Sequence, residues 1–198
     1  MQNELNKVRF SVKPLKSNDN KVVELARTVG IHPLAYQELP YDPEYSFYAG
    51  RLNPEVLSHA TADEMYWKVR QEVIFRHTGE HPYEISGPDA EKLLQKIFTR
   101  DISKVKVGRC SYQFACYNDG GMLTDGVLLK LEENKFWFVQ ADGDLFSWYK
   151  AHTDNLNVKI SDPDVWVSQI QGPKSMDLLK VLSKETFPCL LYTSPSPR

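Results

Sequence analysis

The stretch Asn118-Asp119-Gly120-Gly121-Met122-Leu123-Thr124-Asp125-Gly126 decides how the middle of this chain folds. Its first four residues are turn chemistry, because glycine and Asn/Asp tolerate the positive φ of a tight hairpin. Residues 111–117 before it and 122–129 after it read as strands. Side chains alternate along a strand, so Asp125 shares a face with Leu123, Val127 and Leu129, while Thr124, Gly126, Leu128 and Lys130 take the other. The expectation is a carboxylate pointed into an apolar pocket. Burying a charge is costly unless a partner offsets it. Two readings of Asp125 stay open on this pattern: a structural acceptor of hydrogen bonds, or a tuned acid–base group. Gly126 beside it predicts a bulge or a ligand lying against the backbone.

Working outward, the 198 residues are 41% hydrophobic with a net charge of −2. That composition fits a globular protein of one or two domains with a sizeable core. It offers no electrostatic footprint for nucleic acid or an anionic membrane. No apolar run is long enough to span a bilayer, and residues 1–16 lack the apolar core of a signal peptide. Three cysteines, Cys110, Cys116 and Cys189, form no even framework, so a reducing, cytoplasmic setting is expected. Cys110 and Cys116 share a strand face and read as small buried apolar groups. The last ten residues, 189–198, resemble a translated sequencing-adapter read-through, so the genuine sequence is expected to stop near Pro188.

Asp19 or Asn20 opens a predicted helix ending at Gly30, and residues 31–60, rich in Pro, Tyr and Asn, read as irregular. Thr61-Ala62-Asp63-Glu64 is a capping box, opening a helix with Tyr66, Val69 and Val73 on its apolar side. A strand over 81–86 leads through Gly87-Pro88 into a helix. Its Ala90, Leu93, Leu94, Ile97 and Phe98 fall at i, i+3, i+4, i+7 and i+8, a core-facing stripe. The central hairpin follows, then a strand over 135–140, a helix over 142–152 and a strand over 157–160. A further strand over 166–171 and a helix with Met176, Leu179 and Leu182 close the pattern. From His81 to Ile160 the order β-α-β-β-β-α-β is, apart from one extra strand, the split βαβ or ferredoxin-like order.

Five motifs in register name a resemblance. They are Ile85-Ser86-Gly87-Pro88-Asp89-Ala90; Phe98-Thr99-Arg100-Asp101; Lys106-Val107-Gly108-Arg109 with Tyr112; Gly120-Gly121-Met122-Leu123-Thr124-Asp125; and Gln171-Gly172-Pro173-Lys174-Ser175. In this order and spacing the chain resembles the aminomethyltransferase family, which holds the glycine-cleavage T-protein and tetrahydrofolate-dependent demethylases. Asp125-Gly126-Val127-Leu128-Leu129 followed by Phe136-Trp137-Phe138 looks closer to the demethylase branch, although Gly126 fits neither branch fully. The resemblance implies an α+β chain carrying part of a folate-binding aminomethyltransferase-type fold, with a ferredoxin-like (split βαβ) subdomain and the C-terminal barrel missing. On that reading, residues 1–80 are the first segment of the folate-binding domain and 81–161 the ferredoxin-like subdomain. Residues 162–188 return to the folate-binding domain, and 189–198 are the adapter artefact. The chain alone is then expected to be inactive.

The same resemblance implies tetrahydrofolate as cofactor and a small-molecule methyl or aminomethyl donor, with a carrier protein as partner if the chain is a glycine-cleavage enzyme. It implies that Asp125 lies beside the pterin and helps the folate nitrogen act as nucleophile, that Tyr112 stacks on folate, and that Gln140 hydrogen-bonds it. Leu129 stands where a further folate-side tyrosine is expected. Rival readings within the fold are a non-catalytic folate binder of the iron–sulfur assembly type and the folate module of a larger amine oxidase. His77-Thr78-Gly79-Glu80-His81 fits a His-x-x-Glu-His zinc pattern, but Gly79 and Pro82 oppose the helix that pattern needs, so no metal site is expected. His77 or Glu80 could instead border a substrate cleft. Tyr112, Phe114 and Phe138 lack the glycine-aromatic signature of an RNA-binding sheet.

Overall fold

The computed structural model describes residues 30–183; the helix expected before Gly30 and the 189–198 tail lie outside them. These residues divide into two compact units. One comprises 30–79 with Trp166–Ser175, the other Glu80–Val165 with 176–183. No described helix is long and apolar enough to cross a membrane.

The first unit opens with two 3-10 turns, Ala35–Gln37 and Leu39–Tyr41, and an antiparallel hairpin of β1 (Glu44–Tyr48) and β2 (Arg51–Val56). That hairpin corrects the irregular reading of 31–60. Its two-residue connection is Ala49-Gly50, with φ of 49° and 80°, the doubly positive geometry that matches strand twist. The expected helix forms as α1 (Ala62–Gln71), and its capping box is complete: Thr61 Oγ1 accepts from Glu64 N at 3.2 Å and Thr61 N donates to Glu64 Oε2 at 2.8 Å. The helix stops before Val73, and β3 (Ile74–His77), which the sequence pattern missed, pairs antiparallel with β9 (Ser168–Gln171). Tyr66, expected inward, is half exposed.

The centre of this unit is polar. Its buried residues include His32, Glu38, Arg51, Asn53, His77 and Thr78, against only Ala35, Ala49 and Leu52 among apolar ones. Burial, with His77 and Arg51 close by, holds the His32 imidazole down to about 4, and burial also lowers His77. An unfolded imidazole titrates near 6.5. Between those values the unfolded chain binds more protons, so this contribution to stability is complete above pH ~6.5 and is lost as pH falls toward about 4. Glu38, raised by burial, acts in the opposite sense: its contribution grows on acidification. The His32 shift is the large one of the three, so it sets the net direction. Acidification from pH ~6.5 to about 4 should therefore strip amide-exchange protection from β3 and β9 while strands of the second unit keep theirs, after correction for intrinsic rates. Equal loss in both units would refute this.

The second unit is a five-stranded antiparallel sheet with one face covered by helices. Its strands are β4 (His81–Ser86), β5 (Arg109–Cys116), β6 (Met122–Glu132), β7 (Lys135–Gln140) and β8 (Lys159–Ser161), in the spatial order β5-β6-β7-β4-β8. The covering helices are α2 (Ala90–Ile97) and α3 (Leu145–Ala151). The predicted stripe of α2 is the heart of the core: Ala90, Leu93 and Leu94 are fully buried, with Ile97 and Phe98 nearly so, against Ile85, Leu128, Phe136 and Phe138 of the sheet. Each of the larger of these side chains, leucine, isoleucine or phenylalanine, contributes about 1.5–3 kcal/mol on burial. α3 starts at Leu145, later than expected, because Asp144 caps it by accepting from Ser147 N at 3.1 Å; it packs with Leu145 and Tyr149. The last helix, α4, spans Ser175–Leu182.

Candidate functional site

The hairpin at Asn118–Gly121 sets β5 against β6 in the register Tyr112↔Val127, Gln113↔Gly126 and Phe114↔Asp125. Gly120 supplies the positive φ of the turn (86°), and Asp119 Oδ1 accepts from Gly121 N at 2.9 Å. The alternation along β6 is as expected, but the packed row is the other one. Thr124, Gly126, Leu128 and Lys130 are buried beneath the helices, while Leu123, Asp125, Val127 and Leu129 are only partly covered. This corrects the expectation of an apolar pocket around Asp125. The physical reason is that α2 and α3 supply enough apolar surface to cover the even-numbered row, and Lys130 joins that row because Glu91 and Glu133 each pair with its Nζ at 3.3 Å. Cys110 and Cys116 also lie on the open side of β5, one exposed and one half-covered, not in the core as expected.

Asp125 is held rather than loose. Tyr112 Oη donates to its Oδ2, and Tyr112 in turn packs edge-on against Phe114 with ring centroids 5.3 Å apart. The other oxygen, Oδ1, takes no partner among the described residues. Around the pair, Phe114, Val127 and Val139 form a partly covered apolar surface on three adjacent strands. The arrangement offers one carboxylate oxygen of fixed orientation at the border of a flat apolar patch. Such a patch accepts a planar heterocycle, and such an oxygen accepts its N–H groups.

Gln140 is not brought to this pair. It pairs with Gly126 across β6 and β7, so its side chain lies on the helix-covered face, where Nε2 donates to Gly143 O at 2.9 Å. Thr124, not singled out from the sequence, does the matching work: its Oγ1 donates to Asp142 O at 2.7 Å. Together they pin residues 141–143, whose first amide, Ala141 N, bonds Asp125 O at 3.1 Å and extends the strand beside the carboxylate. Gly126 shows neither a bulge nor a ligand gap. A Cβ there would lie 2.2 Å from Val139 O and 2.8 Å from Phe138 Cζ, so the neighbouring strand and ring occupy the space. The ladder irregularities of β6 fall elsewhere, at Ala115/Cys116 and at Lys130/Glu132. A surface hollow lined by Pro88, Glu91, Lys92 and Asp101 lies on the helix side, away from this pair.

On the open face further along, Glu84 Oε2 accepts from Trp137 Nε1 at 3.0 Å, and that bond, with Lys135 nearby, lowers the Glu84 carboxyl below its usual range. His77 and His81 sit on separate strands, β3 and β4, rather than one helix turn apart. Their side chains are engaged differently: His81 Nε2 meets Asp162 at 2.7 Å, while His77 faces His32 and Ser168.

Residues 32–190 match the family described as the GCVT N-terminal domain. The chain is 34% identical over 137 residues to the dimethylsulfoniopropionate demethylase DmdA of Ruegeria pomeroyi, covering 68% of this chain and 37% of that protein. It is 33% identical over 129 residues to the trimethylamine-oxide aldolase of the same organism, covering 63% of this chain and 16% of the other. To the aminomethyltransferase of Bacillus subtilis it is 33% identical over 112 residues, 54% of this chain and 30% of that one. The chain thus spans well under half the length of the curated relatives it matches. Among solved structures, the glycine cleavage system aminomethyltransferase T from Bartonella henselae superposes with a TM-score of 0.69 at 18% identity, over 77% of this chain and 43% of that one. At that identity the likeness speaks for the fold, a mixed α/β arrangement of the T-protein kind.

Proposed function

Since the chain belongs to the GCVT N-terminal domain family, that of the aminomethyltransferases, we propose that it takes part in folate-dependent one-carbon transfer, with Asp125 and Tyr112 at the acceptor side. The observation that carries this reading is the oriented carboxylate, one oxygen held by Tyr112 and the other without a partner among the described residues, beside the apolar surface of Phe114, Val127 and Val139. Tetrahydrofolate fits those residues: its flat pterin suits the apolar patch, and its ring N–H groups suit Asp125 Oδ1. When bound, folate supplies the ring nitrogen that accepts the one-carbon unit.

The chain's own part is to orient, and to hold a proton. Tyr112 fixes the torsion of the Asp125 side chain, so Oδ1 points at one place without an entropy cost at the moment of reaction. Asp125 Oδ1 would hold a ring N–H of the bound pterin and could take up a proton there. Phe114, Val127 and Val139 keep bulk water from one side of the ring and strengthen the charge-assisted bond. Gln140 serves on the other face, bracing the 141–143 turn behind the site. The order β5-β6-β7-β4-β8 supports a ferredoxin-like subdomain with β5 as an added edge strand.

The donor is best read as a small methylated sulfonium or amine. Relatives named for such compounds are among those matched at 33–34% identity, and the 125–129 and 136–138 motifs lean the same way. A carrier protein is the partner only in the glycine-cleavage reading.

The test is chemical-shift mapping of the 15N-labelled chain with millimolar tetrahydrofolate. Shifts should concentrate at 112–114, 125–127 and 139, and Asp125→Asn should weaken binding about ten- to a hundredfold through loss of a charged hydrogen bond. Shifts absent from these positions, or indifferent to Asp125→Asn, would sink the proposal.

A further inference from the structure

The polar centre of the first unit holds an ordered array that lies outside the Asp125 site. Three segments far apart in sequence meet there: His32 before the first 3-10 turn, His77 at the end of β3, and Ser168 at the start of β9, its cross-strand partner. The two imidazoles stack face to face, with centroids 3.7 Å apart and planes 18° from parallel. Ser168 Oγ lies 3.3 Å from His32 Nε2 and 3.4 Å from His77 Nδ1. Glu38 Oε1 lies 3.6 Å from His77 Nε2, within ion-pairing reach, and Tyr45 Oη donates to Glu38 Oε2 at 3.3 Å. His77 is 4% and His32 7% exposed, whereas Ser168 is open to solvent.

The hydrogen bonds fix a direction. Leu34 N donates to His32 Nδ1 at 3.1 Å, so the neutral His32 ring carries its proton on Nε2 and donates it to Ser168 Oγ. That leaves the serine hydroxyl to donate to His77 Nδ1, and places the remaining His77 proton on Nε2, toward Glu38. A hydroxyl facing a neutral imidazole that is backed by a carboxylate is the arrangement that activates a serine. Separations somewhat above 3.2 Å are usual before a ligand draws such groups together.

We propose that Ser168 is a base-activated hydroxyl, with His77 as its base and Glu38 orienting that base, and that it forms covalent bonds with acyl or phosphonyl electrophiles. In the step, Ser168 Oγ attacks the electrophilic centre, its proton passes to His77 Nδ1, and the leaving group departs with its bonding pair. Glu38 lies where the resulting imidazolium is stabilised, and the His32 N–H lowers the cost of removing the hydroxyl proton. Burial keeps both rings in the free-base form at neutral pH, ready to accept. The inference stands apart from the folate reading, since it shares no residue with the Asp125 site.

The probe is a fluorophosphonate bearing biotin, added to the 198-residue chain, with the adduct located by peptide mass mapping; here fluoride is the leaving group. One adduct on Ser168 is expected, forming at least about a hundredfold faster in the native chain than in the same chain in urea, the scale of general-base help. Ser168→Ala should abolish it and His77→Gln should slow it to the denatured rate. Glu38→Gln, which keeps the shape of the side chain, should slow it about tenfold with the circular dichroism unchanged. No adduct at Ser168, equal rates in native and denatured chain, or a Glu38→Gln rate equal to that of the parent would each overturn the proposal.

Discussion

Gly126→Ala should destabilise the second unit by about 3 kcal/mol, although the change adds one methyl group. The position is on the packed face of β6, opposite Gln140 of β7. An added Cβ would meet Val139 O at 2.2 Å, Phe138 Cζ at 2.8 Å and the Gln140 Cα at 3.1 Å. The first of these is backbone held in the ladder, so it has no rotamer by which to retreat. Strands β6 and β7 would have to separate, and their hydrogen bonds lengthen together. Phe138→Leu in the same chain should not rescue the loss, because it clears the ring but leaves the carbonyl in place. Urea unfolding followed by far-ultraviolet circular dichroism measures the effect. A variant whose midpoint matches the parent would show that this close approach is not a constraint.

Phe138→Ala is the second large change, with an expected cost of about 3–5 kcal/mol. Phe138 is fully buried, and its ring stacks at a tilt on Phe98 with centroids 4.6 Å apart. Phe98 in turn meets Tyr149 of α3 at 6.4 Å, so the ring joins β7, the end of α2 and α3. Removing it leaves a void between elements that are themselves fixed by the sheet register, and such a void closes poorly. A loss below about 1 kcal/mol in the same urea experiment would mean that the helices collapse into the gap.

How much of this was legible beforehand varies with the range of the forces involved. The β5–β6 hairpin was legible because Asn118-Asp119-Gly120-Gly121 can hardly be anything else, and α2 because its stripe is periodic and amphipathic. The β1–β2 hairpin was hidden by Pro54 inside β2 and by an Ala-Gly turn in place of a stronger Asn-Gly signal. β3 was hidden because it is four residues long and its pairing partner, β9, comes about ninety residues later. At the site, alternation correctly grouped Asp125 with Leu123, Val127 and Leu129, but alternation does not say which of two rows the helices will cover. That choice came from α2 and α3. The motif comparison that pointed to Asp125 and Tyr112 pointed also to Gln140, through a looser match of glutamine for asparagine, and the register sets that residue on the reverse face. The His32–Ser168 contact spans 136 positions, and no local pattern announces it.

The division of β6 into a covered and an open row has a practical corollary for engineering. Neighbouring positions along this one strand meet different physical demands: 124, 126, 128 and 130 govern whether the domain assembles, while 125, 127 and 129 lie on the partly covered face, and Leu123 still packs against the core. A combinatorial library that randomises only codons 125, 127 and 129 should therefore return mostly folded clones. The same library shifted by one codon should return mostly insoluble ones.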